Sequence, residues 1–223
     1  MNRIVFVEGV PGSGKTTLIA NLLEHDNGNS RPVVVYSGDV NPVNPVRQAT
    51  KQGACLSLQE AKIIYRSQPY SSYKEEHIQK WIDFCEQNAY LGTDFIVDAG
   101  LIQAPMYELL GRYMMTATEI AAHLNLIIEI IKDYFDIQMV YLEVENPARC
   151  IHDAMELQHE WRKQWVAGFC KWLEIAPYPI SKGYTGLQGI EDFVYERHQI
   201  DQLLLPQLHL KIQAVERDEV CSI

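Results

Sequence analysis

The sequence predicts an α/β fold, a three-layer sandwich in which a mostly parallel five-stranded sheet carries helices on both faces. Short apolar runs rich in β-branched residues alternate along the chain with longer segments of helical spacing. A glycine-rich turn joins the first of these runs directly to the first helical segment. The sequence shows no internal repeat and no low-complexity tract, so we expect one domain over residues 1–223.

Five segments have the composition of buried strands. Each is short and mostly apolar, and turn-forming residues follow most of them. The segments span about 4–7, 32–36, 94–100, 138–144 and 209–215. Ligands of parallel sheets bind at the carboxyl ends of the strands, so the residues that follow these runs are the first candidates for a site.

The segments between the strands are predicted to be helical, with one exception. Helices are expected over about 16–24, 57–90 in two parts, 103–113, 117–135, 147–173 and 190–204. Capping-box pairs support three helix starts, and these pairs are Ser57 with Glu60, Ser72 with Glu75, and Thr116 with Glu119. The exception is 40–52, which contains two prolines and is predicted to be an irregular loop. The helical insertions at about 57–90 and 145–175 are predicted to be substrate-binding and lid regions.

The first turn has the pattern of a phosphate-binding loop. Residues 9–16 read G-V-P-G-S-G-K-T, which fits the G-x-x-x-x-G-K-[ST] motif of P-loop proteins. Its glycines allow backbone N–H groups to point at phosphate oxygens, and the following helix adds its positive end. Lys15 is expected to reach the β- and γ-phosphates and Thr16 to bind Mg²⁺, so the sequence predicts ATP and Mg²⁺ as cofactors. The residues expected to contact the nucleotide are Gly9, Pro11, Gly12, Ser13, Gly14, Lys15, Thr16 and Thr17.

Two aspartates follow predicted strands at the same edge of the sheet as this loop. Asp98 ends an apolar strand, as the metal-side carboxylate of NTPases does, and is expected to bind Mg²⁺ with Thr16. Its alternative role is a helix cap or a hydrogen-bond acceptor in a loop. Asp39 ends the neighbouring strand and is expected to be the catalytic base, with a turn-forming role after Gly38 as the alternative. The sequence leaves open which aspartate is the base.

Cations are also expected, because a transferring phosphoryl group must be held by positive charge. Arg162, next to Lys163 in the predicted lid region, is the first candidate for this catalytic role. Arg149 and Arg112 are further candidates on neighbouring segments, and Arg47, in the predicted loop after Asp39, is a candidate for contact with the substrate. The alternative for each is a solvated surface charge, which is the ordinary state of such residues on helices.

Aromatic residues of the predicted lid region are interpreted as structural. Trp161, Trp165 and Trp172 recur at helical spacing, which is more typical of a core than of a platform for stacking a base. His152 is interpreted as structural in the same way.

The composition limits the partners of the protein. A net charge of −10, with lysine and arginine scattered along the chain, argues against a nucleic acid polymer. No run of about eighteen apolar residues and no apolar signal segment occurs, so neither membrane association nor export is expected. The five cysteines form no CxxC pair, which argues against a disulfide framework or a zinc site and indicates a reduced, cytoplasmic setting. The expected partner is a small-molecule acceptor, and a homodimer is left open.

These residues resemble the P-loop kinase superfamily, which contains nucleoside, nucleotide and small antibiotic kinases. The position of Asp39 at a strand end resembles that of an aspartate in the antibiotic phosphotransferases of the chloramphenicol type. That resemblance implies that Asp39 acts as the base. The segment V-D-A-G-L-I-Q at 97–103, followed by M-Y-E-L-L at 106–110, looks more like a group of poorly characterised bacterial P-loop kinase-like proteins. The resemblance implies an ATP-dependent phosphotransferase that acts on a hydroxyl or phosphate of a nucleoside-like or antibiotic-like molecule.

Several departures separate the chain from other nucleotide-using classes. Nucleotide kinases usually have an arginine after the strand-end acidic residue and an arginine near the position of His152, whereas here Ala99 follows Asp98. GTPases would carry an Asn-Lys-x-Asp motif, and motor ATPases a glutamate at the position of Ala99; the chain has neither. The alternative functions are a nucleotide-hydrolysing ATPase switch and a nucleotide-binding regulator without an acceptor. The sequence favours transfer over hydrolysis.

Overall fold

Five parallel strands form the central sheet in a computed structural model that describes residues 1–25, 31–36, 40–157 and 159–217. The strands are β1 (Asn2–Gly9), β2 (Val33–Tyr36), β3 (Asp94–Asp98), β4 (Phe135–Glu143) and β5 (Lys211–Glu216). Their order in the sheet is β2-β3-β1-β4-β5, and every pairing is parallel. The predicted α/β class is therefore confirmed.

Ten helices connect and cover the strands within the described residues. They are α1 (Lys15–His25), α2 (Pro45–Lys51), α3 (Leu58–Ser67), α4 (Tyr70–Asn88), α5 (Gln103–Leu109), α6 (Ala117–Lys132), α7 (Pro147–Glu156), α8 (Glu160–Ile175), α9 (Pro177–Lys182) and α10 (Gly186–Leu204). A short 3-10 turn, Leu205–Gln207, follows α10. None of the helices in the described part of the chain combines the length and the apolar character that a membrane span requires.

The two faces of the sheet bury different clusters, because successive side chains of a strand point to opposite faces. Phe6 and Val97 belong to the larger cluster, which is covered by helices including α4 and α6. Val7 and Ile96 belong to a smaller cluster, in which Leu18 of α1 covers the opposite face. Helices thus lie on both faces of the sheet.

The segment 40–52 differs from its prediction as an irregular loop. Residues 45–51 form α2, because Pro45 occupies the first helical position, where its missing N–H costs no hydrogen bond. The side chain of Asn44 caps the helix by accepting from the N–H groups of Val46 and Arg47, at 2.9 and 3.2 Å. The sequence therefore contained the signals of a helix start, but the two prolines led to the prediction of a loop.

Two other helix boundaries were wrong. The predicted helix over 147–173 is two helices, because Leu157 and His159 have extended backbone angles between α7 and α8. The start predicted at Ser72 lies at Tyr70, where the extended Pro69 precedes the helix without a side-chain cap. The other two capping boxes, at the starts of α3 and α6, are present as predicted.

Candidate active site

The phosphate-loop motif forms a tight turn between β1 and α1. Gly9, Gly12 and Gly14 have φ angles of 142°, 85° and 103°, in the region that favours glycine. The loop also packs closely against α7, since a Cβ atom on Gly12 would lie 2.5 Å from the backbone oxygen of Cys150. The sequence folds this way because only glycine satisfies both the backbone angle and the close approach.

The side chain of Lys15 is hydrogen-bonded to the backbone of its own loop. Its Nζ donates hydrogen bonds to the backbone oxygens of Gly9 and Val10, at 3.1 and 2.9 Å. Burial, together with the nearby cation of Arg197, lowers the pKa of Lys15 to about 8, although the carboxylates of Glu8 and Asp98 act in the opposite direction. A phosphate group could take over these donors, and its charge would favour the protonated amine.

Asp98 lies beside the loop, because its position at the end of β3 pairs in register with Val7 of β1. Burial raises the pKa of the Asp98 carboxyl above its ordinary value, and the charge of Lys15 offsets only part of this rise. After Asp98 the chain turns sharply, since Ala99 has a φ of 55° and donates its N–H to the Val7 oxygen at 2.9 Å. Lys15 and Asp98 were predicted from the sequence to share one site, and the structure brings them together.

Glu8 was missed by the sequence analysis. It is fully buried in β1, and its carboxylate accepts hydrogen bonds from the backbone N–H groups of Leu101, Ile102 and Gln103 at 2.7, 3.0 and 2.9 Å. Burial raises the pKa of Glu8 above its ordinary value, and the three N–H donors offset only part of this rise. The available signal was an acidic residue inside an otherwise apolar strand, directly before the glycine loop.

The loop residues fit a magnesium nucleotide. The Oγ of Ser13 and the Oδ1 of Asp98 are buried and have no hydrogen-bond partner among the described residues. Thr16 and Thr17 are exposed in the first turn of α1, where their hydroxyls and N–H groups are accessible. Backbone donors, an ammonium, a hydroxyl and a carboxylate are the groups that phosphates and Mg²⁺ require.

A cavity of about 860 Å³ lies next to Asp98. Its lining includes residues of the segment 41–47, of the start of α5 and of α8. Aromatic side chains contribute much of the lining, namely Tyr73, Tyr107, Trp161, Trp165, Phe169 and Trp172. Because Asp98 belongs both to this lining and to the surroundings of Lys15, the cavity adjoins the phosphate loop.

A second cleft, of about 890 Å³, lies on the other side of the loop, at the carboxyl ends of β4 and β5. Its lining includes Arg149, Cys150 and Arg217. The Nη1 of Arg217 donates to the sulfur of Cys150 at 3.0 Å. Since the backbone of Cys150 packs against Gly12, this cleft also adjoins the phosphate loop.

The predicted cations occupy different environments. Arg112 is buried and paired with Glu108 at 2.8 Å, so its prediction as a clamp for the phosphoryl group was wrong. The guanidinium of Arg162 lies 4.2 Å from the centre of the Trp161 ring and 5.2 Å from that of Trp165, and both rings line the cavity beside Asp98. Burial lowers the pKa of Arg162. Arg149 is exposed in α7.

The remaining predictions have mixed outcomes. Trp172 is buried, and its Nε1 donates to the Tyr65 hydroxyl at 2.9 Å, whereas Trp161 is 58% exposed and does not belong to the core. His152 is exposed, and its Nδ1 donates a hydrogen bond to the Glu191 carboxylate at 2.8 Å. Asp39, the predicted base, lies outside the described residues.

Comparisons with known proteins agree with a P-loop fold. The family model for the viral superfamily 1 RNA helicase core domain matches residues 5–67, a stretch that contains the glycine loop. No protein of curated function matches the chain. The matched stretch contains the glycine loop, and the parallel sheet and the loop geometry are those of the P-loop NTPase fold.

Two solved structures are similar to the chain at low identity. One belongs to the PezAT chromosomal toxin–antitoxin system of Streptococcus pneumoniae, with 12% identity, a TM-score of 0.42, and coverage of 98% of this chain and 69% of that chain. The other is the crystal structure of APE1195, with 15% identity, a TM-score of 0.42, and coverage of 91% and 97%.

Proposed function

We propose that the protein transfers the γ-phosphate of ATP to a small-molecule acceptor. The observation that carries this proposal is the position of Asp98, which lies near Lys15 of the phosphate loop and also lines the cavity of about 860 Å³. A phosphotransferase needs a donor and an acceptor at adjacent positions, and a cavity of this volume suits a small molecule.

On the donor side, the loop binds the phosphates of ATP. The N–H groups between Gly9 and Thr17, together with the Lys15 ammonium, hold the β- and γ-phosphates. Thr16 and Asp98 would hold Mg²⁺, which when bound supplies positive charge to the phosphate oxygens. The base of the nucleotide would lie in the cleft at the ends of β4 and β5, where Arg149 and Arg217 can stack on it.

On the acceptor side, the reaction is an in-line displacement. The acceptor oxygen bonds to the γ-phosphorus, the bond to the β–γ bridging oxygen breaks, and ADP leaves with that electron pair. When the acceptor is a hydroxyl, its proton passes to a carboxylate, and the sequence predicts Asp39 for this role. Arg162, at the edge of the cavity, is proposed to stabilise the charge of the transferring group.

The competing function is hydrolysis of ATP without an acceptor, as in a switch or a helicase-type ATPase. The family match over residues 5–67 is compatible with it, because the matched stretch contains the loop that all P-loop proteins share. The chain has Ala99 after Asp98, where motor ATPases usually have a water-activating glutamate. A cavity with an aromatic lining also has no role in water attack, and this favours transfer.

A phosphate-transfer screen tests the proposal. Labelled ATP and Mg²⁺ are incubated with the protein and with nucleosides, nucleotides, aminoglycosides, chloramphenicol or amino-acid-like alcohols. We expect one class to gain the mass of one phosphate while an equal amount of ADP forms, and no gain with the Lys15→Ala variant. ATP hydrolysis at a rate that no acceptor changes would contradict the proposal and support the ATPase, and binding without turnover would support a regulator.

A further inference from the structure

Aromatic rings that contact one another form a wall of the cavity beside Asp98. Trp165 meets Phe169 edge to face, with ring centres 5.3 Å apart, and Phe169 meets Trp172 in the same way at 5.6 Å. Tyr107 meets Trp172 at 5.3 Å with an interplanar angle of 89°. Because these rings hold one another in place, the cavity offers fixed apolar faces on which a flat ring can stack.

Apart from Glu108 Oε2, which is ion-paired with Arg112, four buried oxygen atoms on residues that line this cavity have no hydrogen-bond partner in the part of the chain that the structure describes. They are Asn41 Oδ1, Tyr73 Oη, Asp98 Oδ1 and Gln103 Oε1. The Nδ2 of Asn41 already donates to the Gly100 oxygen at 3.0 Å, so its Oδ1 is the atom left for a ligand. Buried polar atoms are nearly always paired in folded proteins, and four around one cavity indicate a ligand that completes them.

These four atoms also define what the ligand must bring. The amide oxygens of Asn41 and Gln103 can only accept hydrogen bonds, and the Oδ1 of Asp98 is left for a ligand where the other oxygen of this carboxylate binds Mg²⁺. The Tyr73 hydroxyl can donate or accept. The cavity therefore suits a molecule with several N–H or O–H donors placed around its ring.

The charges around the cavity do not suit an acceptor that carries a phosphate. Arg47 and Lys171 line the cavity but are exposed to solvent, and Arg162, which is assigned to the transferring phosphoryl group, is not among the lining residues. Arg112, which is buried nearby, is committed to its ion pair with Glu108. Tight recognition of a phosphate requires desolvated cations with free donors, and neither of the two described cations that line the cavity is desolvated.

We infer that the acceptor is a neutral or cationic molecule with a flat aromatic or heteroaromatic ring, several hydrogen-bond donors and no phosphate of its own. The inference rests on the proposed phosphotransferase function and narrows its product to the phosphate ester of a hydroxyl. Nucleosides and aromatic amino alcohols have this chemistry. Nucleoside monophosphates and non-aromatic aminoglycosides do not.

Calorimetric titration without ATP tests the ligand class directly. The probes are the common nucleosides and chloramphenicol, the 5′-monophosphates of the same nucleosides, and kanamycin and glucose as donor-rich molecules without an aromatic ring. We expect at least one unphosphorylated aromatic alcohol to bind, and a nucleoside to bind at least about tenfold more tightly than its monophosphate. Preferred binding of a monophosphate, of kanamycin or of glucose, or no binding of any aromatic alcohol, would overturn the inference.

Two variants separate a binding role of the free oxygens from a structural one. Gln103→Met removes the unpaired amide at similar volume, and Tyr73→Phe removes the unpaired hydroxyl. We expect each variant to have an equal or higher Tm and to bind the best ligand at least about tenfold more weakly, because only the ligand forms hydrogen bonds with these atoms. Gln188→Met, on the exposed side of α10, is the control and should change neither quantity. A lowered Tm with unchanged affinity would show that these oxygens stabilise the fold and do not bind the ligand.

The inferred ligand class and the proposed phosphotransferase function can be contradicted independently of each other. Phosphate transfer to a monophosphate or to a non-aromatic acceptor would leave the proposed function standing and remove this inference. Binding of an aromatic alcohol without phosphate transfer under Mg²⁺ and ATP would leave the ligand class standing and remove the proposed function.

Discussion

The carboxylate of Glu8 accepts a hydrogen bond from the backbone N–H of Leu101 at 2.7 Å. The next two N–H groups, of Ile102 and Gln103, donate to the same carboxylate. A side chain of β1 therefore caps the helix that follows β3, where N–H groups would otherwise be unpaired. Because Glu8 precedes the phosphate loop and Asp98 precedes the capped helix, this contact ties the two parts of the candidate site together.

Replacing Glu8 by glutamine is expected to lower the free energy of unfolding by about 1–3 kcal/mol, because an NH₂ group would replace one accepting oxygen among three N–H donors. Urea unfolding followed by circular dichroism measures the change. Glu75→Gln, at an exposed position of α4, is the matched control and should stay within about 0.5 kcal/mol of the parent. Equal stabilities of the two variants would mean that the Glu8 contacts are dispensable.

The Lys15→Ala variant is expected to lose nucleotide-dependent turnover by at least about a hundredfold while keeping its fold, since the ammonium acts on charge that develops during transfer. Circular dichroism and an ADP-release assay measure the two properties. Lys132→Ala removes a surface lysine that is paired with Glu129 and should turn over at the parent rate. If Lys15→Ala also kept the parent rate, Lys15 would have no part in the chemistry.

The Asp98→Asn and Asp39→Asn variants are expected to lose activity for different reasons. Loss of a carboxylate ligand at Asp98 should raise the Mg²⁺ concentration that gives half-maximal turnover. Loss of a base at Asp39 should lower turnover without changing that concentration. Titration of both variants with Mg²⁺ measures the difference, and an identical response would remove this division of roles.

Much of the fold was predictable because its signals are local. The strand of Asp94–Asp98 is apolar on both faces, as a central parallel strand must be, and its prediction needed no knowledge of its neighbours. The helix α2 was not predicted, because Pro45 reads as a helix breaker unless Asn44 is recognised as its cap. The break near Leu157 also has no glycine or proline to mark it.

Only the part of the candidate site that is contiguous in the sequence was predictable. The glycine loop is a contiguous pattern, and Lys15 follows from it. The contacts of Glu8 reach residues more than ninety positions away, and the cavity combines segments from Asn41 to Ile175. Arg112 was predicted to be a free cation although Glu108 lies four residues before it in the predicted helix; the sequence contained the pair, but not its burial.

Two buried histidines provide a prediction on pH. The Nδ1 of His77 and the Nε2 of His123 share a hydrogen bond of 2.9 Å, and the chain of contacts continues to the Tyr70 hydroxyl at 3.0 Å. Burial lowers the pKa of His77 to about 3, with the neighbouring His123 adding to the effect, and burial lowers the pKa of His123 to about 4. Both rings are therefore neutral in the folded protein at neutral pH.

Because the unfolded chain takes up these protons near its ordinary pKa of 6.5, stability should be constant above that pH and fall as the pH drops below it. Urea unfolding between about pH 7.5 and 5 measures the slope, in a range where most carboxylates stay ionised. His123→Gln should flatten the slope, and His209→Gln, whose side chain is 63% exposed, should not. An unchanged slope in His123→Gln would place the acid sensitivity elsewhere.

Two glycines with nearly the same backbone angle allow the contact between the phosphate loop and α7 to be tested alone. Gly12 and Gly53 have φ angles of 85° and 90°, so alanine is strained at both positions. A Cβ on Gly12 would lie 2.5 Å from the Cys150 oxygen, whereas no described atom lies within 4 Å of a Cβ on Gly53. We therefore expect Gly12→Ala to be less stable than Gly53→Ala by about 1–3 kcal/mol, since a backbone atom cannot move aside cheaply.

The same pair of variants links the packing of the loop to nucleotide binding. If α7 must move to admit a Cβ on Gly12, the N–H groups of the loop no longer converge on the phosphates, and ATP affinity should fall by at least about tenfold. Gly53→Ala should keep the parent affinity, because the strain there does not reach the loop. Calorimetric titration with ATP measures both variants. Equal affinities would show that the phosphate loop adjusts to α7 without a cost to binding.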